Sequence, residues 1–252
     1  MFSVGHGADL ESLSSRISPD NIYATTNHLS TYFNRYALGE GGQLSSQWAF
    51  SLMESYIDNP GQSSSPSCRL FVHPGMPQNS VICTLPGRGS LSNEVVVLGG
   101  HLDSCAFKDP TTQVSQYPLN CIGSLPGSCA FPDFATRRAP GVDDNGSSAA
   151  ALIELWRVLV TSDTLFERTI SIQLFAGEEW GVANGVYTGL AGSQEIAEYY
   201  AGNQVEAGRI VPCSTMILST HPSIPPLTFQ TLSTPFPRPW PSLRLLILPM
   251  KP

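Results

Sequence analysis

The sequence predicts an α/β fold in which helices cover a mostly parallel β-sheet. A continuous apolar run over residues 94–100 is typical of a central strand that is buried on both faces, as parallel strands are. A second apolar strand is expected over residues 170–176. Helical patterns alternate with these strands, and such alternation favours a helix-covered, mostly parallel sheet.

Two helices are predicted in the amino-terminal quarter of the chain. The first covers residues 20–36, where Asp20 is a suitable N-cap and apolar residues recur at helical spacing. The second begins at Ser45 or Ser46, ends near Asn59-Pro60 and presents Trp48 and other large apolar residues on one face. A Gly-, Ser- and Pro-rich stretch then predicts a loop.

The remaining elements follow in a regular order. They are predicted as strands 69–73, 80–85 and 94–100, helix 147–160, strand 170–176, helix 191–201 and a strand near 210–218. Residues 105–140 lack periodicity and are rich in Pro, Gly, Ser and Cys. A loop of this length in a compact domain is uncommon, so it is either functional or an insertion.

Composition divides the chain into two unequal parts. Residues 1–206 contain all 20 acidic residues, whereas residues 207–252 contain none and hold 10 of the 21 prolines. Proline at this density excludes regular helices and central strands.

The net charge of −7 argues against a nucleic-acid partner, and no apolar run approaches the ~20 residues that span a bilayer. Residues 1–7 form too short and too polar a stretch for the apolar region of a signal peptide.

Six cysteines leave the redox compartment open. None forms a CxxC pair, which argues against a zinc ribbon or a thioredoxin-type site. A secreted origin would permit a disulfide such as Cys121–Cys129, and a cytosolic origin would leave free thiols.

Three short polar segments each stand at a strand end or a helix start. They are Gly-Gly-His-Leu-Asp-Ser at 99–104, Ala-Pro-Gly-Val-Asp-Asp-Asn-Gly-Ser at 139–147 and Phe-Ala-Gly-Glu-Glu-Trp-Gly at 175–181. Open α/β sheets place their active sites at the carboxyl ends of strands, so we expect these segments to converge.

The side chains in these segments are of the types that bind zinc and work beside it. His101 can coordinate a metal through one ring nitrogen, while Asp103 accepts the N–H of the other. Asp144 can offer one carboxylate oxygen to each of two metals. Adjacent side chains at a strand end point different ways, so one of Glu178 and Glu179 can bind metal while the other acts as a general base.

As a set, these three segments resemble the co-catalytic di-zinc aminopeptidases, the leucyl-aminopeptidase-like zinc exopeptidases. The stretches Leu29–Tyr36 and Asn79–Gly87 also resemble the secreted branch of that family, and the resemblance covers roughly residues 18–210. It implies a three-layer α/β/α sandwich with a mostly parallel central sheet, here incomplete at the carboxyl terminus. It also implies a secreted enzyme that acts as a monomer on peptides with a free N-terminus.

The resemblance assigns a role to each site residue. Two zinc ions are implied, with His101 on one, Glu179 on the other and Asp144 bridging both. Glu178 is the implied general base, and Asp103 orients the imidazole of His101. The implied reaction removes N-terminal residues from peptides through a zinc-activated water, and the peptide bond after Asp144 is expected to be cis.

The sequence departs from the family pattern after the Glu pair. The family has a further Asp about 30 residues on and a later His, but no aspartate follows Asp163 here and the only later histidine is His221. We therefore expect residues 1–206 to form a partial zinc-exopeptidase-like domain with an inserted loop at 105–138. Residues 207–252 are expected to be an irregular Pro-rich tail, which a frameshift or a mis-spliced gene model explains.

Two other functions stay open at this point. A homologue that has lost two metal ligands is expected to show no turnover and to act only in binding or structure. A zinc acyltransferase of the glutaminyl-cyclase type shares the fold, although the Glu-Glu-Trp-Gly and Asn-Arg-Tyr contexts favour the aminopeptidase.

Overall fold

The computed structural model describes residues 7–57, 65–106, 137–203 and 209–210, apart from the side chains of residues 7–10 and 209. The elements in chain order are α1 (Gly7–Ser15), α2 (Pro19–Thr31), α3 (Glu40–Ser55), β1 (Ser67–His73), β2 (Met76–Leu85), β3 (Glu94–His101), a π-helical turn (Val142–Ser147), α4 (Ser148–Val160), β4 (Thr169–Phe175), β5 (Gly181–Ala183), β6 (Val186–Thr188), α5 (Ala191–Gly202) and β7 (Arg209–Ile210). The predictions that concern Cys121, Cys129, His221, most of the 105–138 loop and the chain after residue 210 fall outside the described residues.

The main sheet is mixed rather than mostly parallel. Its strand order is β1-β2-β4-β3-β7, in which β2 pairs antiparallel with both β1 and β4, and β3 pairs parallel with both β4 and β7. Strands β1 and β2 run antiparallel because the two residues Pro74 and Gly75 join them, and a parallel pair needs a long crossover. The φ of +83° at Gly75 suits a type II turn after proline.

A disulfide joins the two strands of this hairpin. Cys68 and Cys83 are direct partners in the β1–β2 register, and their sulfur atoms are bonded. The sequence left the pairing of the cysteines open, because pairing depends on the strand register rather than on spacing along the chain.

The second hairpin, β5–β6, lies directly after the Glu178-Glu179 segment. Its two turn residues, Asn184 and Gly185, both have positive φ, at 51° and 77°. Asn-Gly in this conformation is the favoured type I′ hairpin turn. The stretch Val182–Thr188 therefore forms a regular local hairpin.

The main core lies between one face of the sheet and the helices α2, α3 and α4. It includes the fully buried side chains Leu29, Met53, Trp156, Ile172 and Leu174. The Trp156 indole N–H donates to the Met53 carbonyl at 2.9 Å, so the largest core side chain also has its polar atom satisfied.

Helix α5 packs on the opposite face, where Ile196 and Tyr200 contact Ile82 and Phe175. Beside it, Val95 and Val97 of β3 line a cavity of about 270 Å³ and are only half-buried. The expectation that β3 is buried on both faces is therefore wrong for this part of the strand, because the described residues leave its second face incompletely covered. The finer three-layer arrangement stays a prediction.

The N-cap of helix α2 lies two residues earlier than the sequence pattern indicated. Ser18, rather than Asp20, is the N-cap, and its hydroxyl accepts the Asn21 N–H at 3.3 Å. Pro19 follows at the first helical position, where its missing N–H costs nothing. The helix ends at Thr31, five residues before the predicted end, because Tyr32 adopts an extended conformation.

Glu154 of α4 ties this helix start to the core. Its carboxylate accepts the Ser18 N–H at 2.7 Å and the Asn21 side-chain amide at 3.1 Å, and it pairs with the Arg157 guanidinium.

Of the helices in the described ranges, none has both the length and the apolar character needed to cross a bilayer.

Candidate active site

Two of the three polar segments leave the sheet side by side. His101 ends β3 and lies in parallel register with Phe175, which ends β4. The Leu102 N–H donates to the Phe175 carbonyl at 2.8 Å, so the pairing continues one residue past the strands. Segments 101–104 and 176–179 therefore emerge together at the carboxyl edge of the sheet, as the strand-end argument predicts.

The third segment reaches the same edge through the π-helical turn before α4. Gly141, which caps this turn, has a φ of +51°, and a Cβ there would lie 2.5 Å from the Ser104 Cβ and 2.7 Å from the Asp144 carbonyl oxygen. Only glycine permits so close an approach. The Asp144–Asn145 peptide bond is cis, as the resemblance implies.

His101 is the point at which the three segments meet. Its Nε2 lies 2.9 Å from Asp144 Oδ1 and 3.6 Å from Glu178 Oε2, and its Nδ1 lies 3.3 Å from Asp103 Oδ1. The imidazole is about 10% exposed, whereas the Asp144 side chain is 55% exposed. Side chains that lie up to 77 residues apart in sequence thus share one small site, with Asp144 on its solvent side.

Asp103 also fixes the backbone that carries the Glu pair. Its Oδ1 accepts the Glu178 N–H and its Oδ2 accepts the Glu179 N–H, both at 3.0 Å. The carboxylate is 1% exposed, so water cannot replace these bonds. One buried side chain therefore sets the positions of the imidazole and of both glutamates.

The ionisable groups shift one another strongly. Burial alone would lower the pKa of His101, but hydrogen bonds to Asp103 and Asp144 outweigh it and raise that pKa well above 6.5. The hydrogen bond from His101 lowers the pKa of Asp144. Burial and the charges of Asp103 and Asp144 raise the pKa of Glu179 to about 8, and burial also raises the pKa of Glu178. The site therefore holds more negative charge than its single imidazole can balance.

The donors present suit zinc in kind. They are an imidazole nitrogen and carboxylate oxygens. Burial is the largest cause of the raised pKa of Glu179, and the Asp103 and Asp144 charges add to it; a divalent cation would relieve this repulsion between carboxylates. Within the described ranges, however, no three His, Cys, Asp or Glu side chains are already arranged as a metal site. The two further ligands of the family pattern do not appear among the described residues at this edge.

Arg35 is a residue of the site that the sequence interpretation missed. The side chain is 0% exposed, and its guanidinium donates to the carbonyls of Leu102 at 2.8 Å, Gly141 at 3.0 Å and also Pro140. It also donates to Leu29 at 3.0 Å. Arg35 therefore joins two of the three site segments to the end of α2.

The sequence contains a signal that Arg35 is buried, although the sequence interpretation assigned this residue no role. It lies inside the Leu29–Tyr36 stretch, where one charged residue is surrounded by large side chains. Burial lowers its pKa to about 10, although the Asp103, Tyr32 and Asp144 charges act in the opposite direction. A charged residue in such a stretch indicates a buried cation with several acceptors.

Cys105 also lies beside the acidic groups. Burial, and then the charges of Asp103 and Glu179, raise the pKa of this thiol, so it stays protonated. It packs with Tyr36 and Trp180 and is not disulfide-bonded.

The model of peptidase family M28 matches residues 80–216, which is more than half of the chain and includes all three site segments. Leucine aminopeptidase 1 of Trichophyton equinum is 28% identical over 202 residues, which cover 79% of this chain and 45% of that protein. The chain thus spans slightly less than half the length of the curated relatives that it matches.

Solved structures agree in fold. The LapA aminopeptidase of Legionella pneumophila has a TM-score of 0.58 at 21% identity, over 81% of this chain and 45% of that one. A glutaminyl cyclase of Bacteroides thetaiotaomicron, bound to N-acetylhistamine, has a TM-score of 0.50 at 14% identity, over 77% and 60%. Identities this low show the shared fold alone, and the family model carries the assignment: this chain belongs to peptidase family M28.

Proposed function

We propose that this chain is a zinc aminopeptidase that removes N-terminal residues from peptides. The observation that carries the proposal is the meeting of His101, Asp144 and Glu178, at 2.9 and 3.6 Å, at the carboxyl edge of β3 and β4. In this proposal His101 and Asp144 hold one zinc, and Asp144 and Glu179 hold a second. Bound zinc is a Lewis acid that polarises a carbonyl oxygen and lowers the pKa of water.

Glu178 is the proposed general base. Burial and the nearby Asp103 and Asp144 charges raise the pKa of its carboxyl group, although His101 partly opposes this. A raised pKa brings a carboxylate closer to the range in which a general base works best. The Glu178 carboxylate takes the proton of the attacking water and passes it to the amine of the shortened peptide.

Asp103 is the proposed positioning group. It bonds to the amides of Glu178 and Glu179 and faces the Nδ1 of His101. With Asp103 as its partner at Nδ1, the imidazole keeps Nε2, which faces Asp144 at 2.9 Å, as the ring nitrogen that would bind a metal.

The rest of the proposal concerns substrate, domain limits and location. Leucine at the N-terminus is the first residue to test, because the relatives are named leucine aminopeptidases. Residues 1–206 form the proposed catalytic part with an insertion at 105–138, and residues 207–252 form a Pro-rich tail, of which only 207–216 lie within the matched family region. We further propose a three-layer sandwich, a monomer and an extracellular location, on the family resemblance.

The test combines zinc content with turnover. We expect two zinc ions per chain and hydrolysis of leucine p-nitroanilide, and we expect Glu178→Gln to reduce kcat by about 10²–10⁴-fold while zinc content is kept. Glu167→Gln is the matched control, because Glu167 is exposed and lies outside the site. An inactive protein without bound zinc would overturn the proposal and favour a homologue without turnover. Release of ammonia from peptides with N-terminal glutamine, without hydrolysis, would favour the glutaminyl-cyclase alternative.

A further inference from the structure

Three buried polar side chains hold four consecutive backbone amides, those of residues 176–179. Ser80 Oγ accepts the N–H of residue 176 at 2.9 Å, and Gln78 Oε1 accepts that of residue 177 at 3.3 Å. Asp103 accepts the next two, as described above. Ser80 and Gln78 are 0% exposed, so in the intact fold these side chains, and not water, satisfy the amides of residues 176 and 177.

Three carbonyl groups of the same segment are also held. The carbonyl oxygens of residues 176, 177 and 178 accept the N–H groups of residues 192, 191 and 190 at 3.0, 2.9 and 2.8 Å. These donors are at the start of α5. The backbone that carries Glu178 and Glu179 is thus fixed between β2 and α5.

Ser80 is itself held by a chain of two further buried groups. Its oxygen accepts the Ala176 N–H, so its hydroxyl proton is available for His73 Nε2, 2.8 Å away. Nε2 is then the acceptor, and Nδ1–H donates to Glu195 Oε2 at 2.7 Å. The other oxygen, Glu195 Oε1, accepts the Asn184 N–H of the β5–β6 turn at 3.1 Å.

The order Glu195–His73–Ser80 matches that of a hydrolase triad, but the burial excludes a nucleophilic role. A nucleophile has to touch its substrate, and Ser80 is 0% exposed and His73 1% exposed. Each hydrogen-bonding group on Ser80 already has a partner. The chain of contacts leads to the backbone at Ala176, two residues before Glu178, and not to a cavity.

We propose that the Glu195–His73–Ser80 chain is a positioning device that sets the backbone at Ala176 and thereby the placement of the Glu178 and Glu179 carboxylates. The inference rests on the proposed function, in which these two carboxylates act on the substrate and the metal. Displacement of a catalytic group by about 1 Å can cost on the order of 10²-fold in rate. Ser80 and His73 are therefore expected to influence kcat although neither touches the substrate.

Ser80→Ala is the direct test, with Ser171→Ala as the matched control. Ser171 is also a buried strand serine with a side-chain hydrogen bond, to Gln173, but it lies away from residues 176–179. In metal-free protein we expect Ser80→Ala to speed hydrogen exchange in the 176–179 segment at least 10-fold, while Ser171→Ala leaves that segment unchanged. With zinc, we expect kcat to fall at least 10-fold for Ser80→Ala with KM within about 3-fold.

His73 variants supply a second test if Ser80→Ala does not fold. Glutamine can offer an oxygen to the Ser80 hydroxyl and an N–H to Glu195, whereas leucine offers neither. We expect His73→Gln to keep the exchange protection and kcat that His73→Leu loses.

The experiments distinguish a failure of this inference from a failure of the proposed function. A wild-type protein without zinc or turnover overturns the proposed function, while the exchange data on metal-free protein still decide the positioning claim. An active wild type with unchanged protection and kcat in Ser80→Ala overturns the inference alone. The same holds if Ser80→Ala and Ser171→Ala change exchange at 176–179 equally.

Discussion

Replacement of Arg35 by methionine is predicted to destabilise the fold more than any single charge removal at the surface. Arg35 donates to four backbone carbonyls, those of Leu29, Leu102, Pro140 and Gly141. Hydrogen bonds that involve a charged group contribute about 1.5–3 kcal/mol each, so the four together stabilise by roughly 6–12 kcal/mol. Methionine fills a similar volume but leaves all four carbonyls without this donor.

The cost of burying the charge reduces this figure. Burial lowers the pKa of Arg35 from 12.5 to about 10, and at ~1.4 kcal/mol per pKa unit this corresponds to about 3 kcal/mol. Subtracting this burial cost from the hydrogen-bond contribution leaves about 3–9 kcal/mol. Because the released carbonyls gain some hydration, we expect Arg35→Met to lower the free energy of unfolding by an amount in the lower part of this range, about 3–6 kcal/mol. Arg35→Lys keeps the charge but has only three N–H donors and no planar fork, so we expect a smaller loss of about 2 kcal/mol.

Urea unfolding followed by tryptophan fluorescence measures both losses. Arg88→Met is the matched control, because Arg88 is exposed, and it should change stability by no more than about 0.5 kcal/mol. A loss below 1 kcal/mol for Arg35→Met would refute the assignment of Arg35 as the buried link between the site segments.

Three further predictions concern stability. Burial alone would raise the pKa of Glu154, but hydrogen bonds from its neighbours outweigh burial, so this pKa lies below its usual value. The stabilisation by the ionised carboxylate is complete above the unfolded pKa of ~4.3 and is lost as pH falls through the folded pKa. The stability deficit of Glu154→Gln should therefore shrink in acid, and a pH-independent deficit in urea titrations would contradict this. Reduction of the Cys68–Cys83 disulfide, which closes a 15-residue loop, should lower stability by about 3 kcal/mol, and unchanged unfolding in dithiothreitol would argue against the bond. Gly141→Ala should lower the free energy of unfolding by at least about 2 kcal/mol more than Gly185→Ala does. Both glycines have positive φ, but only at Gly141 would a Cβ meet close neighbours. Equal losses of stability in the two variants would show that this crowding is absent.

The sequence predicted which polar segments lie together better than it predicted the architecture of the sheet. Apolar runs identify β3 and β4, and the polar residues that follow them must emerge at one edge if the two strands are parallel. This is why His101 and Glu178 were predicted to converge, and their 3.6 Å separation agrees with it. The roles of these residues toward zinc stay predictions.

The antiparallel half of the sheet depends on information that periodicity does not carry. The Pro74-Gly75 turn was recognised, but its consequence for strand direction and for the pairing of Cys68 with Cys83 requires the register of β1 on β2. Buried polar groups such as Arg35 and His73 are missed for a related reason. Most of their partners are backbone carbonyls or side chains far along the chain, so the local pattern can indicate that Arg35 is buried but cannot indicate what either group binds.

X-ray diffraction at the zinc absorption edge, from crystals of the zinc-loaded protein and of His101→Ala, shows directly whether the side chains of the proposed site bind zinc. We expect anomalous density between His101 Nε2, Asp144 and Glu179, and its loss at the His101 position in the variant. Zinc bound elsewhere on the protein, or none within coordination distance of these three side chains, would contradict this expectation.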